Sequence, residues 1–157
     1  MNDKIHFIAE FLNKKDKTLS LAESFTGGKI SSLITNYAGA SNFFKGGVVV
    51  YSNESKTSVL GLSDFTINKL GVVSSKTAEK MAILVKKKFQ TDYSIATTGN
   101  AGPNTSNNLT KVGEVYIAVA FPYGINIRRF HIDGNRKKVI NDASNKSLEM
   151  LINVIKG

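Results

Sequence analysis

The residues best suited to covalent chemistry share one segment, "GASNFFKGGVVVYSNESK" (residues 39–56), which carries the hydroxyls of Ser41 and Tyr51 and the amine of Lys56. A serine attacks an acyl carbon when a base takes its proton, and a lysine is such a base only while neutral. Near pH 7 that requires a shift of about three units from roughly 10.4, on the order of 4 kcal/mol of unfavourable environment. If Asn53 caps the helix that follows, Lys56 falls in its first turn, where the positive end of the dipole pushes an ammonium toward deprotonation. Burial has to supply the remainder, and Glu54 would oppose it if the two side chains met. Ser41 lies in a turn before a strand and Lys56 just beyond that strand's far end, so spacing alone does not join them. The plainer alternative for Lys56 is a solvated helix lysine.

Two further segments place small and hydroxylated residues at strand ends. In "SLAESFTGGKISS" (20–32), Glu23, Ser24, Phe25, Thr26, Gly27 and Gly28 stand between a strand and a helix, where free backbone N–H groups and the helix dipole favour an anion such as a phosphate. The alternative is a capped turn with Ser24 or Thr26 as N-cap. In "TTGNAGP" (97–103), Thr97 and Thr98 offer hydroxyls, and Gly99 and Asn100 open a loop whose backbone donors suit an oxyanion or phosphate, or form an ordinary Gly/Asn turn. Arg136, in "DGNRKK", opens the last helix and could fork two bonds onto a phosphate. His6 and His131 have no carboxylate at metal-ligand spacing, and no paired-carboxylate motif occurs, so packing or surface roles are expected and no metal site.

The elements that must position these groups follow from periodicity. Ile5, Ile8 and Leu12 recur at helical spacing, "TLSLA" (18–22) reads as a buried strand, and "KISSLITNYA" (29–38) as a short helix. The run "FFKGGVVVYS" (43–52) is a second strand, followed by short helical pieces over 53–62 and 64–71 that end at Gly61 and Gly71 in left-handed C-caps. Ala78, Met81, Ala82, Val85 and Phe89 mark the clearest helix, 74–89, with Lys86, Lys87 and Lys88 complementing its C-terminal dipole. "DYSIATT" (92–98) is a strand leading into a long polar loop; "VGEVYIAVAF" and "INIRRFHI", separated by "PYG", form an antiparallel hairpin; a helix from about Arg136 to Ile155 closes the chain. This order implies an α/β fold, a three-layer α/β/α sandwich with a mixed, mostly parallel sheet, expected as one domain over residues 1–157. Ligands on such sheets bind outside the carboxyl ends of the strands.

The 157 residues, 41% hydrophobic and 21% charged, are enough for a real core. The absence of cysteine excludes disulfides, thiolate catalysis and iron–sulfur clusters. No run of 18 apolar residues and no signal-like N-terminus is present, which implies a cytoplasmic location without membrane association. The net charge of +9 attracts anions, but no aromatic-interleaved motif accompanies the basic clusters, so nucleic acid is the less favoured partner and most of the charge is expected to be solvated.

Taken together, "LAESFTGG", "GASNFFKGGVVVYSNESK", "LGVVSSKTAEKMA", "ATTGNAGP", "KVGEVYIAVA" and "DGNR" resemble, in order and spacing, the C-terminal domain of the CinA competence/damage-inducible family. Stand-alone members of that family are nicotinamide mononucleotide deamidases. The resemblance implies hydrolysis of the carboxamide to nicotinic acid mononucleotide and ammonia, in pyridine-nucleotide salvage, with no metal or organic cofactor. It places a serine–lysine dyad on Ser41 and Lys56, with Tyr51 beside them. The nucleotide would be held by Glu23, Ser24, Thr26, Gly27, Gly28, Thr98, Gly99, Asn100 and Arg136. Departures from the family pattern fall at "SFT", Ala40–Ser41, Gly134–Asn135–Arg136 and, most of all, the loop "NTSNNLTK" (104–111), which leaves a nucleotide-binding module of the same fold as an alternative. A symmetric homodimer fits both the resemblance and an antiparallel sheet edge.

Overall fold

A computed structural model of the chain describes residues 2–157. Its frame is a five-stranded sheet made of β1 (Leu19–Glu23), β2 (Phe44–Val49), β3 (Tyr93–Gly99), β4 (Glu114–Phe121) and β5 (Gly124–His131), in the spatial order β2-β1-β3-β4-β5. β1 pairs in parallel with β2 and β3, while β4 is antiparallel to both β3 and β5. Four strands therefore point one way and β4 alone runs against them. This is the mixed, mostly parallel sheet that the element order implies.

Large and small residues alternate along the central strands and sort the two faces. Leu19, Leu21, Ile95, Ile117 and Val119 bury against α1 (Asn2–Lys14), α2 (Lys29–Thr35) and α6 (Arg136–Lys156), through Ile8, Leu12, Ile30, Ile34, Leu148 and Leu151. The opposite face is built from Ala22, Ala96, Ala118 and Ala120 and takes α3 (Asn53–Leu60), α4 (Asp64–Leu70) and α5 (Ser75–Phe89) through Leu60, Ile67, Ala78, Met81, Ala82 and Val85. Small side chains let the α5 backbone come close to the sheet. Two strand hydroxyls consequently reach its carbonyls: Ser94 Oγ donates to Ala82 O at 2.7 Å and Ser20 Oγ to Val85 O at 3.4 Å. The result is an α/β/α sandwich in which the central strands β1, β3 and β4 are buried on both faces, while the edge strands β2 and β5 stay partly exposed.

Local departures from the expected boundaries have local causes. The helix expected over 29–38 ends at Thr35, because Gly39 (φ 85) turns the chain into a 3₁₀ turn, Ala40–Asn42, that carries Ser41. α3 is capped by Ser52 rather than Asn53, since Ser52 and Ser55 exchange side-chain-to-backbone hydrogen bonds as a capping box. Gly61 closes α3 in the left-handed region (φ 78, ψ 23), whereas Gly71 after α4 has φ 86 with an extended ψ of 140 and makes no such cap. Among the described residues, no helix is long and apolar enough to cross a membrane.

Candidate active site

Because β4 is reversed, the carboxyl ends of β1, β2 and β3 meet the start of β4 and the N-terminus of α6 at one edge of the sandwich. A cavity opens there, as expected for a parallel sheet. Ser24 and Phe25 from the β1 end, Tyr51, Asn53 and Lys56 from the β2–α3 connection, Thr98 to Gly102 from the β3 end, and Arg136 of α6 all line it.

Its floor is a lysine. Lys56 is only 2% exposed, although it sits in a helix whose first turns otherwise face water. Its Nζ lies 2.9 Å from Ser24 Oγ and donates to Val50 O at 2.8 Å. Among the described residues no carboxylate forms an ion pair with it, so no opposite charge offsets the loss of hydration, and burial lowers its pKa from 10.5 to about 8. A neutral amine at that distance can accept the Ser24 proton while still donating to Val50 O. The pair is thus a hydroxyl and a base, buried and in contact at the bottom of an open cavity.

The expected partnership of Ser41 with Lys56 needs correction. Ser41 is exposed in the 3₁₀ turn at the start of β2, whereas Lys56 reaches back to Val50 at the strand's end. Six strand residues at about 3.3 Å each separate them by roughly 20 Å. The hydroxyl that Lys56 meets belongs to Ser24, which follows β1 at the same end of the sheet.

The Gly27–Gly28 turn is also not the phosphate cradle expected from its sequence. Gly28, left-handed at φ 93, is the N-cap of α2 and has no side chain to satisfy the first amides. Glu23, 1% exposed, does so from five residues upstream: its carboxylate accepts from the backbone N–H of Gly28 (3.2 Å), Ile30 (3.1 Å) and Ser31 (2.8 Å), and from Ser31 Oγ (2.8 Å). An anion already occupies the helix terminus, and Glu23, Gly27 and Gly28 lie outside the cavity. Thr26 is likewise outside it, and its hydroxyl is bonded to that of Thr97 at 2.8 Å. With Ser24 N–H donating to Thr97 O (3.2 Å), these contacts clamp the Ser24 turn onto β3.

The remaining expected residues do line the cavity, in varied states. Arg136 donates to Gly102 O (2.7 Å) and to Tyr51 Oη (2.5 Å), and the two side chains bridge the cavity mouth; among the described residues the guanidinium has no carboxylate partner. Thr98 spends its hydroxyl on Val72 O at 2.7 Å. Gly99 is required by close approach, since a Cβ there would come within 2.6 Å of Val115 Cγ1. Asn53, expected only as a helix cap, also lines the cavity, as do Asn104 and Ser106, at which only the polar character of the 99–113 loop hinted. His6 and His131 pair with Glu10 and Asp133 at the surface, away from the cavity, and among the described residues no cluster of His, Cys, Asp and Glu could hold a metal ion.

Comparison with known proteins places this chain among relatives. The model of the CinA C-terminal domain matches residues 2–155. A CinA-like protein of Flavobacterium psychrophilum is 50% identical over 144 residues, covering 92% of this chain and 34% of that protein. A CinA-like protein of Fervidobacterium nodosum is 41% identical over 151 residues, covering 96% of this chain and 36% of that protein. The chain thus spans about a third of the length of these curated relatives. The crystal structure of a competence or damage-inducible protein from Enterobacter asburiae superimposes with a TM-score of 0.94 at 30% identity, covering 97% of this chain and 96% of that one.

Proposed function

The chain belongs to the CinA C-terminal domain family, and from that premise we propose that it is a nicotinamide mononucleotide amidohydrolase in which Ser24 is the nucleophile and Lys56 the general base. One observation carries the assignment: the Lys56 amine, buried and, among the described residues, without a counter-ion, lies 2.9 Å from the Ser24 hydroxyl. Neutral Lys56 takes the Ser24 proton as Oγ attacks the carboxamide carbon. The N–H of Phe25, next in the chain and on the cavity wall, is the donor assigned to the resulting oxyanion. Collapse breaks the C–N bond, and protonated Lys56 passes its proton to the departing ammonia. Water, deprotonated by Lys56, then attacks the Ser24 ester; the C–O bond to Ser24 breaks, the Lys56 ammonium returns the proton to Ser24 Oγ, and the carboxylic acid leaves, ionising in water. Arg136, whose partners are the Gly102 carbonyl and the Tyr51 hydroxyl, is assigned to the substrate phosphate, and Tyr51, hydrogen-bonded to Arg136, to substrate contact rather than to proton transfer.

Ammonia release from nicotinamide mononucleotide by the purified chain tests the reading. Ser24→Ala is expected to lower turnover by at least about a thousandfold, the usual scale for a lost nucleophile, while Ser41→Ala stays within about twofold of wild type. The reverse pattern, a large loss in Ser41→Ala with Ser24→Ala near wild type, would return the nucleophile to Ser41. A native chain that releases no ammonia, yet melts at a higher temperature with the mononucleotide present, would be a binding module instead.

A further inference from the structure

Asn100 lines the cavity, and its polar groups are hydrogen-bonded within the protein. It is 4% exposed. Its Nδ2 donates to Thr110 Oγ1 at 2.8 Å and to Lys111 O at 3.3 Å, which uses both amide hydrogens, and its Oδ1 accepts from Ser106 N–H at 2.9 Å. Its own backbone N–H donates to Glu114 O (3.0 Å), and its carbonyl accepts from Gly113 N–H (2.7 Å). Every one of these bonds goes to the stretch from Ser106 to the first residue of β4. The loop is tied internally as well: Thr110 Oγ1 donates to Asn107 Oδ1 at 3.0 Å, and the same oxygen accepts from the N–H groups of Leu109 (2.9 Å) and Thr110 (3.1 Å). A hydrogen-bonded chain Asn100–Thr110–Asn107 therefore shapes a polar loop with neither helix nor strand to hold it. From this loop Asn104 and Ser106 reach the cavity wall.

We propose that Asn100 is a positioning residue: its side-chain amide holds loop 104–111 as a wall of the cavity, and Asn104 and Ser106 on that wall recognise the neutral, hydroxylated part of the substrate. Their uncharged amide and hydroxyl suit sugar hydroxyls, while Arg136 elsewhere on the wall suits the charged group. The kinetic part of this inference rests on the amidohydrolase reading; the anchoring part does not.

Asn100→Ala separates the two. By hydrogen-exchange mass spectrometry, peptides spanning 104–111 are expected to exchange about tenfold faster or more than in wild type, with strand peptides unchanged. In the ammonia assay KM for the mononucleotide is expected to rise about tenfold while kcat stays within about threefold, because the chemical groups remain in place. Thr110→Val cuts the same link from the loop side. Its effect combined with Asn100→Ala is expected to be little more than that of either alone, and it keeps the test open should Asn100→Ala fail to fold. Unchanged exchange in the loop, fully multiplicative losses, or a collapse of kcat at constant KM would overturn the proposal. A wild-type chain that released no ammonia would remove the amidohydrolase reading, and the exchange result would still decide the anchoring.

Discussion

With a pKa of about 8, Lys56 is neutral in about a quarter of molecules at pH 7.5, against about one in a thousand for a lysine at 10.5. The rate of acylation is therefore expected to rise about tenfold per pH unit below pH 8 and level off above about pH 9, which a profile of kcat/KM between pH 6 and 10 would reveal. A flat profile would remove Lys56 from the base role. The same burial acts on stability. In the unfolded chain the lysine holds its proton up to about 10.5, so between about pH 8 and 10.5 the unfolded state binds more protons and stability rises with pH; below pH 8 the whole penalty, about 3 kcal/mol, is present. Lys56→Met removes that penalty but leaves Val50 O without its donor, an offset of about 1–2 kcal/mol. The variant is expected to be inactive yet more stable than wild type by about 1–2 kcal/mol at pH 7 in urea unfolding, and the difference should shrink toward pH 10. If Lys56→Met were instead less stable than wild type at pH 7, the buried amine would not be under strain.

At the scale of elements, α2 depends on a residue outside itself. With Gly28 as N-cap, three amides at its start rely on the Glu23 carboxylate. Glu23→Ala leaves them unsatisfied in a buried setting and is expected to cost about 3 kcal/mol, with Glu23→Gln, which keeps one acceptor oxygen, costing about 1–2 kcal/mol; urea midpoints measure both. Ammonia release should fall with them, since Ser24 is the next residue. This cap also marks where sequence reading stops. α5 and the β4–β5 hairpin were legible because Ala78, Met81, Ala82 and Val85 repeat at helical spacing and two β-rich runs flank a short turn. Lys56, Tyr51 and Arg136, which line the cavity, entered the expected site through the family resemblance, since residue type and position alone favoured a solvated lysine and a surface arginine. The Ser24–Lys56 contact was not, because it joins side chains 32 positions apart across a crossover, and nothing in local spacing distinguishes Ser24 from Ser41. The anion expected at Gly27–Gly28 proved to be the chain's own carboxylate, a competition between ligand and cap that only packing resolves.

Over the whole molecule the formal charge of +9 remains after several lysines and arginines are paired, among them Lys4 with Glu149, Lys17 with Asp92 and Arg129 with Glu114. The pairs exposed on both sides add little to stability, but each pair neutralises its share of the surface field. Arg136 is different: it stands at the cavity mouth with a carbonyl and a phenol as its partners, so its charge is left for the route a substrate takes. A positive field focused at a cleft raises the encounter rate of an anion and is screened over about 10 Å at 0.1 M salt. For the proposed phosphorylated substrate, kcat/KM is therefore expected to fall about two- to fivefold between about 0.05 and 0.5 M sodium chloride, through KM rather than kcat. Arg136→Gln should flatten that dependence and raise KM by about tenfold or more, as loss of a charge-assisted pair would. Steep salt-dependent binding of a DNA duplex at the same site, competing with the mononucleotide, would instead assign the basic field to nucleic acid. If kcat/KM is indifferent to salt in wild type and variant alike, the charge plays no part in capture, and Arg136 serves only to join Tyr51 to the Gly102 turn.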